Sequence, residues 1–339
     1  MTDFHRGCQS IVFPNYPAIV SSACVAGKKE GEGPLRQYFD RVCTDTKLSQ
    51  KSFEKAESEF QKAALTLALE KAALERKQLD VLFAGDLLNQ CIGSSFAARG
   101  TKRPFLGLYG ACSTMAESLL LAACFVNAGY ARYAAALTSS HFASAERQYR
   151  FPLGYGGQRT PTAQWTVTAS GCCILAGSGK GPFIECATIG KIQDLGIRDA
   201  NNMGAAMAPA AVDTIRQHFE DLHRKPSDYD LIVTGDLGAL GKRIVLEQLA
   251  LDGYDLAGRY DDCGVMIFDA ARQDVHAGGS GCGCSASVLC GYLLERMRRR
   301  EVNRLLFCAT GALLSPVSTW QGESIPGICH AVSIVTERG

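Results

Sequence analysis

Two stretches of this chain repeat one another. Asp80-Val81-Leu82-Phe83-Ala84-Gly85-Asp86-Leu87 and Asp230-Leu231-Ile232-Val233-Thr234-Gly235-Asp236-Leu237 share the pattern Asp, three apolar residues, a small residue, Gly-Asp-Leu, displaced by 150 positions. A short apolar run ending in Gly-Asp reads as a buried strand that stops at a turn. At the same displacement each run is preceded by a helix-period segment, residues 53–76 and 203–222. In the first of these Phe53, Ala56, Phe60, Ala64, Leu67 and Leu74 recur at helical spacing among Glu and Lys, which describes an amphipathic helix lying on a sheet. Downstream, Cys112-Ser113 and Cys284-Ser285 each head an apolar helical segment that leads to a strand, at 133–139 and 304–309. Cys112 to Thr138 and Cys284 to Thr310 are both 26 residues. The second copy carries 22 extra residues in the loop-like region 252–274. Strands alternating with helices, twice over, imply an α/β protein of two duplicated halves, with mainly parallel sheets and a buried central helix in each. The Gly-rich run 178–182 marks the seam, so the halves are residues 1–180 and 181–339. Sites in such a chain belong where strand-end loops meet across the pseudo-twofold axis.

Bulk properties exclude several classes of partner. A net charge of +1 gives no general field for nucleic acid or for membrane lipid. No apolar run approaches the roughly 20 residues needed to cross a bilayer. The N-terminal stretch has no apolar core ahead of a small-residue cleavage site, so export is not expected. Fifteen cysteines, an odd number spread through core-like segments, read as reduced thiols, and their spacings are not those of a zinc site. No resident cofactor or metal is expected.

Within this frame Gly110-Ala111-Cys112-Ser113-Thr114 stands out, because it places a cysteine between a strand-like segment (105–109) and a helix. The N–H groups and positive dipole end at a helix N-terminus favour a thiolate or a bound anion. A small buried cysteine packed beneath the helix is the other reading. Asn89, and Ser140 with His141, lie at strand ends that open toward the same cleft. The Gly-rich turn 278–283, with Ser280 in it, is a candidate anion cradle. Arg147 and Arg150 fall in a segment rich in Gly, Pro and aromatic residues (141–165) that either covers a pocket, makes a subunit contact or is a solvated loop. Asp86 and Asp236 either hold calcium through carboxylate oxygens or cap nearby backbone N–H groups. Cys282 and Cys284 read as close-packed loop residues.

A duplicated α/β unit with a cysteine heading a buried helix resembles the thiolase-like superfamily. The resemblance implies a cysteine that accepts an acyl group, aided by His with Asn or a second His from the second half. Cys112 falls on the nucleophile position. The partner positions here read Gly235-Asp236-Leu237 and Gly278-Gly279-Ser280-Gly281-Cys282-Gly283-Cys284-Ser285, without His or Asn. A carboxylate such as Asp236 beside the cysteine raises the thiol pKa and repels an enolate. His330, ahead of the last strand, either orients the thiol or is an ordinary partly buried histidine.

A narrower resemblance rests on runs spread over nearly the whole chain: AGDLLNQ (84–90), GACST (110–114), TSSH (138–141), AERQYRFP (145–152), YGGQ (155–158), AMAPAAVDTIRQHF (206–219), TGDLG (234–238), DDCG (261–264), AGGSGCGCSA (277–286) and ATGALLSP (309–316). These are similar to the stage V sporulation protein AD family. The resemblance implies a thiolase-like fold, expression in the developing endospore, and binding of dipicolinate, free or as its calcium complex. It also implies action beside the membrane proteins of the stage V sporulation A operon, in uptake during sporulation and release at germination. The expected location is peripheral to the spore inner membrane. The superfamily further implies a homodimer paired through the strand at 133–139.

The expectation is therefore non-enzymatic dipicolinate binding, with Cys112 a vestigial nucleophile and Asn89, Ser140, His141, Arg147, Asp236, Ser280 and His330 around the ligand. An acyltransferase that keeps Cys112 as nucleophile is the alternative. A scaffold with a vestigial pocket is a third reading.

Overall fold

The computed structural model describes residues 4–149 and 158–339. Arg150 lies outside the described residues, as does most of the YGGQ run. The repeated helices form where their periodicity places them, Phe53–Lys71 and Met203–Leu222, starting 150 residues apart. Ser52 starts the first by accepting the Lys55 N–H on its hydroxyl, 3.3 Å. Its buried stripe of Ala56, Phe60, Ala64, Leu65 and Ala68 is the apolar face read from the sequence, laid on the first-half strands. The helix stops at Lys71, earlier than residue 76, where Ala73 turns into the left-handed region.

Among the described residues thirteen strands join in one sheet, and Trp165–Thr166 pairs with Gly279–Ser280 apart from it. Its main path runs Tyr260–Asp262, Leu231–Thr234, Arg304–Ala312, Gly327–Val335, Phe183–Thr188, Ala18–Gly27, Ala169–Ala176, Tyr133–Ser140, Val81–Gly85, Phe105–Gly107. Counted outward from the junction, both halves use one order. A first strand is followed by the last strand of that half, then by the strand after the central helix, the Gly-Asp-Leu strand and a short edge strand. The three outer strands of each half are parallel, and the inner pairings are antiparallel. Along the main path one Cα pairing, Phe183 with Ala18, joins the two sets. Ala84 pairs with Leu137 and Thr234 with Cys308, a displacement of 171 for the later strands. The sheet register has thus slipped by one against the sequence match of Cys112 to Cys284.

Two sequence expectations change here. The inserted region 252–274 is not only loop, since it supplies the edge strand Tyr260–Asp262 and the short helix Cys263–Met266. The strand expected to pair subunits, Tyr133–Ser140, is hydrogen-bonded on both sides, to Val81–Gly85 and to Ala169–Ala176. A strand in mid-sheet has no free N–H or C=O row to offer a second copy. On the first-half side that row belongs to Phe105–Gly107, which ends the sheet.

The central helix Thr114–Asn127 packs against strands of both halves and against its counterpart, which runs Cys282–Ser287, a π-helical turn Val288–Leu293, and Leu294–Arg298. Met115, Ala116, Leu119, Leu289, Leu293, Leu294 and Met297 share one core with Phe83, Phe307 and Val332. Among the described residues no helix is long and apolar enough to cross a membrane. Leu119 is fully buried at this contact. Leu119→Ala is expected to cost about 2–5 kcal/mol, read from denaturant unfolding with an unchanged slope.

Candidate functional site

The chain reaches Cys112 from the edge strand. Leu108 N–H closes on Ala84 O at 2.9 Å, then Ala111 takes a left-handed conformation (φ 50°), and a 3-10 turn, Ala111–Ser113, leads into the central helix. Left-handed backbone at a residue with a Cβ costs about 1–2 kcal/mol, so the surroundings must hold this turn in place. They do so through short bonds. Ser113 Oγ donates to Gly110 O at 2.7 Å and Thr114 Oγ1 to Ala111 O at 2.6 Å. From the second half Cys282 Sγ reaches Ala111 O at 3.3 Å. Gly311 passes so near that a Cβ there would lie 2.4 Å from Gly110 O.

Asp236 faces Cys112 from the other half. Its Oδ2 accepts from Ser280 Oγ (3.0 Å) and Gly281 N (2.9 Å), and its Oδ1 accepts from Thr310 Oγ1 (2.8 Å). Burial, and then the Asp236 charge, push the Cys112 thiol well above its ordinary range. Burial likewise raises the Asp236 pKa, against the pull of the Gly281 N–H and the Thr310 and Ser280 hydroxyls. Burial and the Asp236 charge together disfavour a thiolate at Cys112.

Asp86, the first-half counterpart, is bound differently. It accepts from Leu88 N (2.9 Å), Ser94 N (2.7 Å) and Ser94 Oγ (2.6 Å), which makes it the cap of its own turn. In the second half that task falls to Asp262. It accepts from Leu237 N (2.9 Å), Gly238 N (2.9 Å), Gly264 N (3.0 Å) and Thr234 Oγ1 (2.8 Å). Asp86 and Asp236 thus both have their lone pairs engaged by N–H and O–H donors.

The remaining sequence candidates separate into groups. Ser280 stands beside Cys112 through Asp236. Ser140 is one bond further out, donating to Val167 O at 2.6 Å and accepting from Gly283 N at 3.0 Å, so it steadies the Gly-rich turn. Asn89 and Arg147 line a separate cavity of about 260 Å³ with Glu54, Leu88, Ile92, Ser144 and Gln148, where Arg147 pairs with Glu54. His141 Nε2 meets Thr46 O at 2.8 Å, Nδ1 accepts from Ala143 N, and the ring packs against Phe53 and Phe60. His330 Nδ1 accepts from Gly190 N at 3.2 Å, and burial lowers its pKa to about 4. Both histidines are held by backbone groups and neutral near pH 7, burial depressing His141 as well. The structure brings Cys112, Asp236 and Ser280 together.

Three neighbours were missed in the sequence. Thr310 holds Asp236, and its place in the repeat opposite Thr138 was the available signal. Cys282, rather than Cys284, reaches the Cys112 turn, from the first turn of a helix instead of a loop. Tyr149 donates to Leu87 O at 2.5 Å, and its pKa is raised by burial and then by Cys112.

The family model described as Stage V sporulation protein AD matches residues 7–335. A curated relative from Bacillus subtilis (strain 168), Stage V sporulation protein AD, is 47% identical over 327 residues, 96% of each chain. Among solved structures, 3-oxoacyl-[acyl-carrier-protein] synthase III from Aquifex aeolicus VF5 superposes with TM-score 0.57 at 12% identity, covering 94% of this chain and 99% of that one. Acat5 thiolase from Ascaris suum, in complex with coenzyme A, superposes with TM-score 0.58 at 12% identity over 94% and 99%. At such identities the likeness concerns the fold, which is thiolase-like. Gly311→Ala, which forces a Cβ against Gly110 O, is expected to cost about 1–3 kcal/mol in thermal or denaturant unfolding and to disturb the Cys112 turn.

Proposed function

This chain belongs to the stage V sporulation protein AD family, and we propose that its part in sporulation is to bind dipicolinate without chemically changing it. The observation that carries the non-enzymatic half of this reading is the buried Cys112 thiol, which burial and the Asp236 charge hold above its ordinary pKa range. A nucleophile in this fold must ionise or pass its proton to a base, and the Asp236 charge opposes the first while burial opposes both. The position serves instead as a floor of fixed polarity for a small ligand. Dipicolinate is the ligand that the family resemblance supports, with calcium entering as part of the ligand rather than as a resident ion. Asn89 and Arg147, in their separate cavity, carry amide and guanidinium donors of the kind a carboxylate takes, Arg147 by exchanging Glu54 for the ligand. The protein acts at the spore inner membrane beside membrane proteins of the same operon, taking dipicolinate up in sporulation and releasing it in germination.

Titration calorimetry with dipicolinate, with and without calcium, is expected to give saturable heat and a raised unfolding temperature. No heat and no thermal shift at millimolar ligand in either arm would sink the reading. Cys112→Met, which adds bulk at this buried position, is expected to weaken binding about tenfold, or about 1.4 kcal/mol.

The homodimer of this reading pairs through Phe105–Gly107, whose flanks expose Leu106 and Tyr109. Light scattering is expected to return twice the chain mass, falling to one chain mass when Gly107, whose N–H faces the open edge, is replaced by Pro, since proline cannot donate to a strand ladder. A wild-type protein that scatters as a monomer removes the dimer.

A further inference from the structure

Helix Phe53–Lys71 buries two polar side chains, Glu57 and Gln61, in a hydrogen-bonded chain that ends at the cavity lined by Asn89, Ser144 and Arg147. Gln61 Nε2 donates to Ser94 Oγ and to Ser139 Oγ, each at 2.8 Å. Gly85 O lies 3.5 Å from the same nitrogen, where an amide oxygen would be repelled. With Gln61 donating to both hydroxyl oxygens, the two serines send their own protons outward. Ser94 donates to Asp86 Oδ2 at 2.6 Å, and Ser139 to Glu57 Oε1 at 3.1 Å. Gln61 therefore joins two buried carboxyl groups and fixes the direction of the chain between them. Among the described residues neither has a cation partner, and two like charges in a dry interior disfavour each other.

Their remaining partners decide which of the two holds a proton. Asp86 takes a backbone N–H on each oxygen, Leu88 on Oδ1 at 2.9 Å and Ser94 on Oδ2 at 2.7 Å. An amide N–H cannot become an acceptor, so Asp86 is the charged member. Glu57 has hydroxyl partners only. Its Oε2 lies 2.6 Å from Ser144 Oγ, whose own proton has a second acceptor in His141 O at 3.1 Å. A proton on Glu57 Oε2 can thus pass its hydrogen bond to Ser144 while Ser144 donates elsewhere. Burial raises the pKa of both carboxyl groups, and the Asp86 charge is the second cause at Glu57. The other groups on the surrounding elements are Glu54, held by Arg147; Lys47, over the Phe53 ring; Glu146, which accepts from Thr166; His141, neutral through burial; and the buried thiols of Cys91, Cys172 and Cys282.

We propose that Glu57 carries a proton on Oε2 near neutral pH and thereby frees the Ser144 hydroxyl to donate to a carboxylate ligand in the cavity. Loss of that proton draws the Ser144 hydrogen bond back to Oε2 and sets a negative charge behind the cavity wall. The inference rests on the reading that dipicolinate takes this cavity, and it adds that the proton on Glu57 sets the affinity.

Calorimetry with dipicolinate at about pH 6, 7 and 8, in buffers of different ionisation heat, reads this linkage. The wild type is expected to bind about tenfold more weakly at the highest pH than at the lowest, and to take up protons on binding at the upper end. Glu57→Gln keeps an acceptor for Ser139 and presents an N–H to Ser144, so its affinity is expected to stay level, without proton uptake. Unfolding in the absence of ligand tests the proton alone. A carboxyl group raised in the folded protein contributes stability that is complete below its unfolded value of about 4.3 and is lost as the pH rises through the folded value. Glutamine cannot ionise, so the Tm of Glu57→Gln is expected to gain on the wild type by about 2 °C or more between about pH 5 and about pH 8. Glu30 and Asp262, which also titrate near neutrality, are common to both proteins and cancel in the difference.

A Tm difference that stays flat over that span overturns the proton on Glu57. A wild-type affinity that ignores pH, with no proton uptake, overturns the link to the cavity, and that result needs no variant to fold. A Glu57→Gln protein that weakens with pH as the wild type does overturns it as well. No heat at any pH removes the ligand reading together with the link, and the Tm difference still decides the proton.

Discussion

The structure depends on the burial of one helix, Thr114–Asn127, between strands of both halves. Its N-terminus is delivered by an edge strand and a left-handed turn, and it stays put because Met115, Ala116 and Leu119 have no exposed face to retreat to. Once that helix is central, the residue at its head must meet whatever the second half presents at the end of its Gly-Asp-Leu strand. The influence of the Asp236 charge on Cys112 follows from the pseudo-twofold packing and is not a local property of either segment. The same packing forces Gly311 against Gly110, where any side chain would prise the halves apart.

Around this contact the interior is rich in carboxyl groups handled in two ways. Glu30, Glu57, Asp86, Asp236 and Asp262 are buried, and burial, the largest influence on each, raises their pKa values; Glu30 and Asp262 reach about 7. Hydroxyl and backbone N–H donors surround most of these groups, so their polarity is satisfied without a buried cation. Glu185 is the contrasting case. Arg224 grips both of its oxygens, at 2.7 and 3.0 Å, and its pKa is lowered although burial acts the other way. That ion pair belongs to a polar network with Tyr229, Ser333 and, through Tyr229, His218, whose pKa burial lowers to about 3. The second-half framework therefore rests partly on charge, while the chamber at Cys112 rests on neutral donors around a carboxylate.

The fold was legible because duplication doubles every signal. The start of the helix at Met203 could be read from the one at Phe53, and the Gly-Asp-Leu strands from each other. Cys112 could be placed at a helix head from its neighbours alone. The site was less legible. His141 and His330 have the residue type of catalytic partners, but their ring nitrogens serve Thr46, Ala143 and Gly190. Arg147 has the right charge for a carboxylate ligand, yet Glu54, 93 residues away in sequence, already pairs with it. Nothing in a linear pattern states which partner a long side chain will find.

By itself the sequence determined an α/β chain of two similar halves, the helix periods, the Gly-Asp turns, and a cysteine at the start of a buried helix. These are properties of residues within a few turns of one another, where periodicity and turn chemistry act directly. Tertiary structure alone decided which strand is left with a free edge, which of two nearby cysteines meets Cys112, and which of three aspartates caps a turn or faces a thiol. Those outcomes depend on strand register and on hydrogen bonds between segments more than 100 residues apart, and a shift of one position changes them without altering any local pattern.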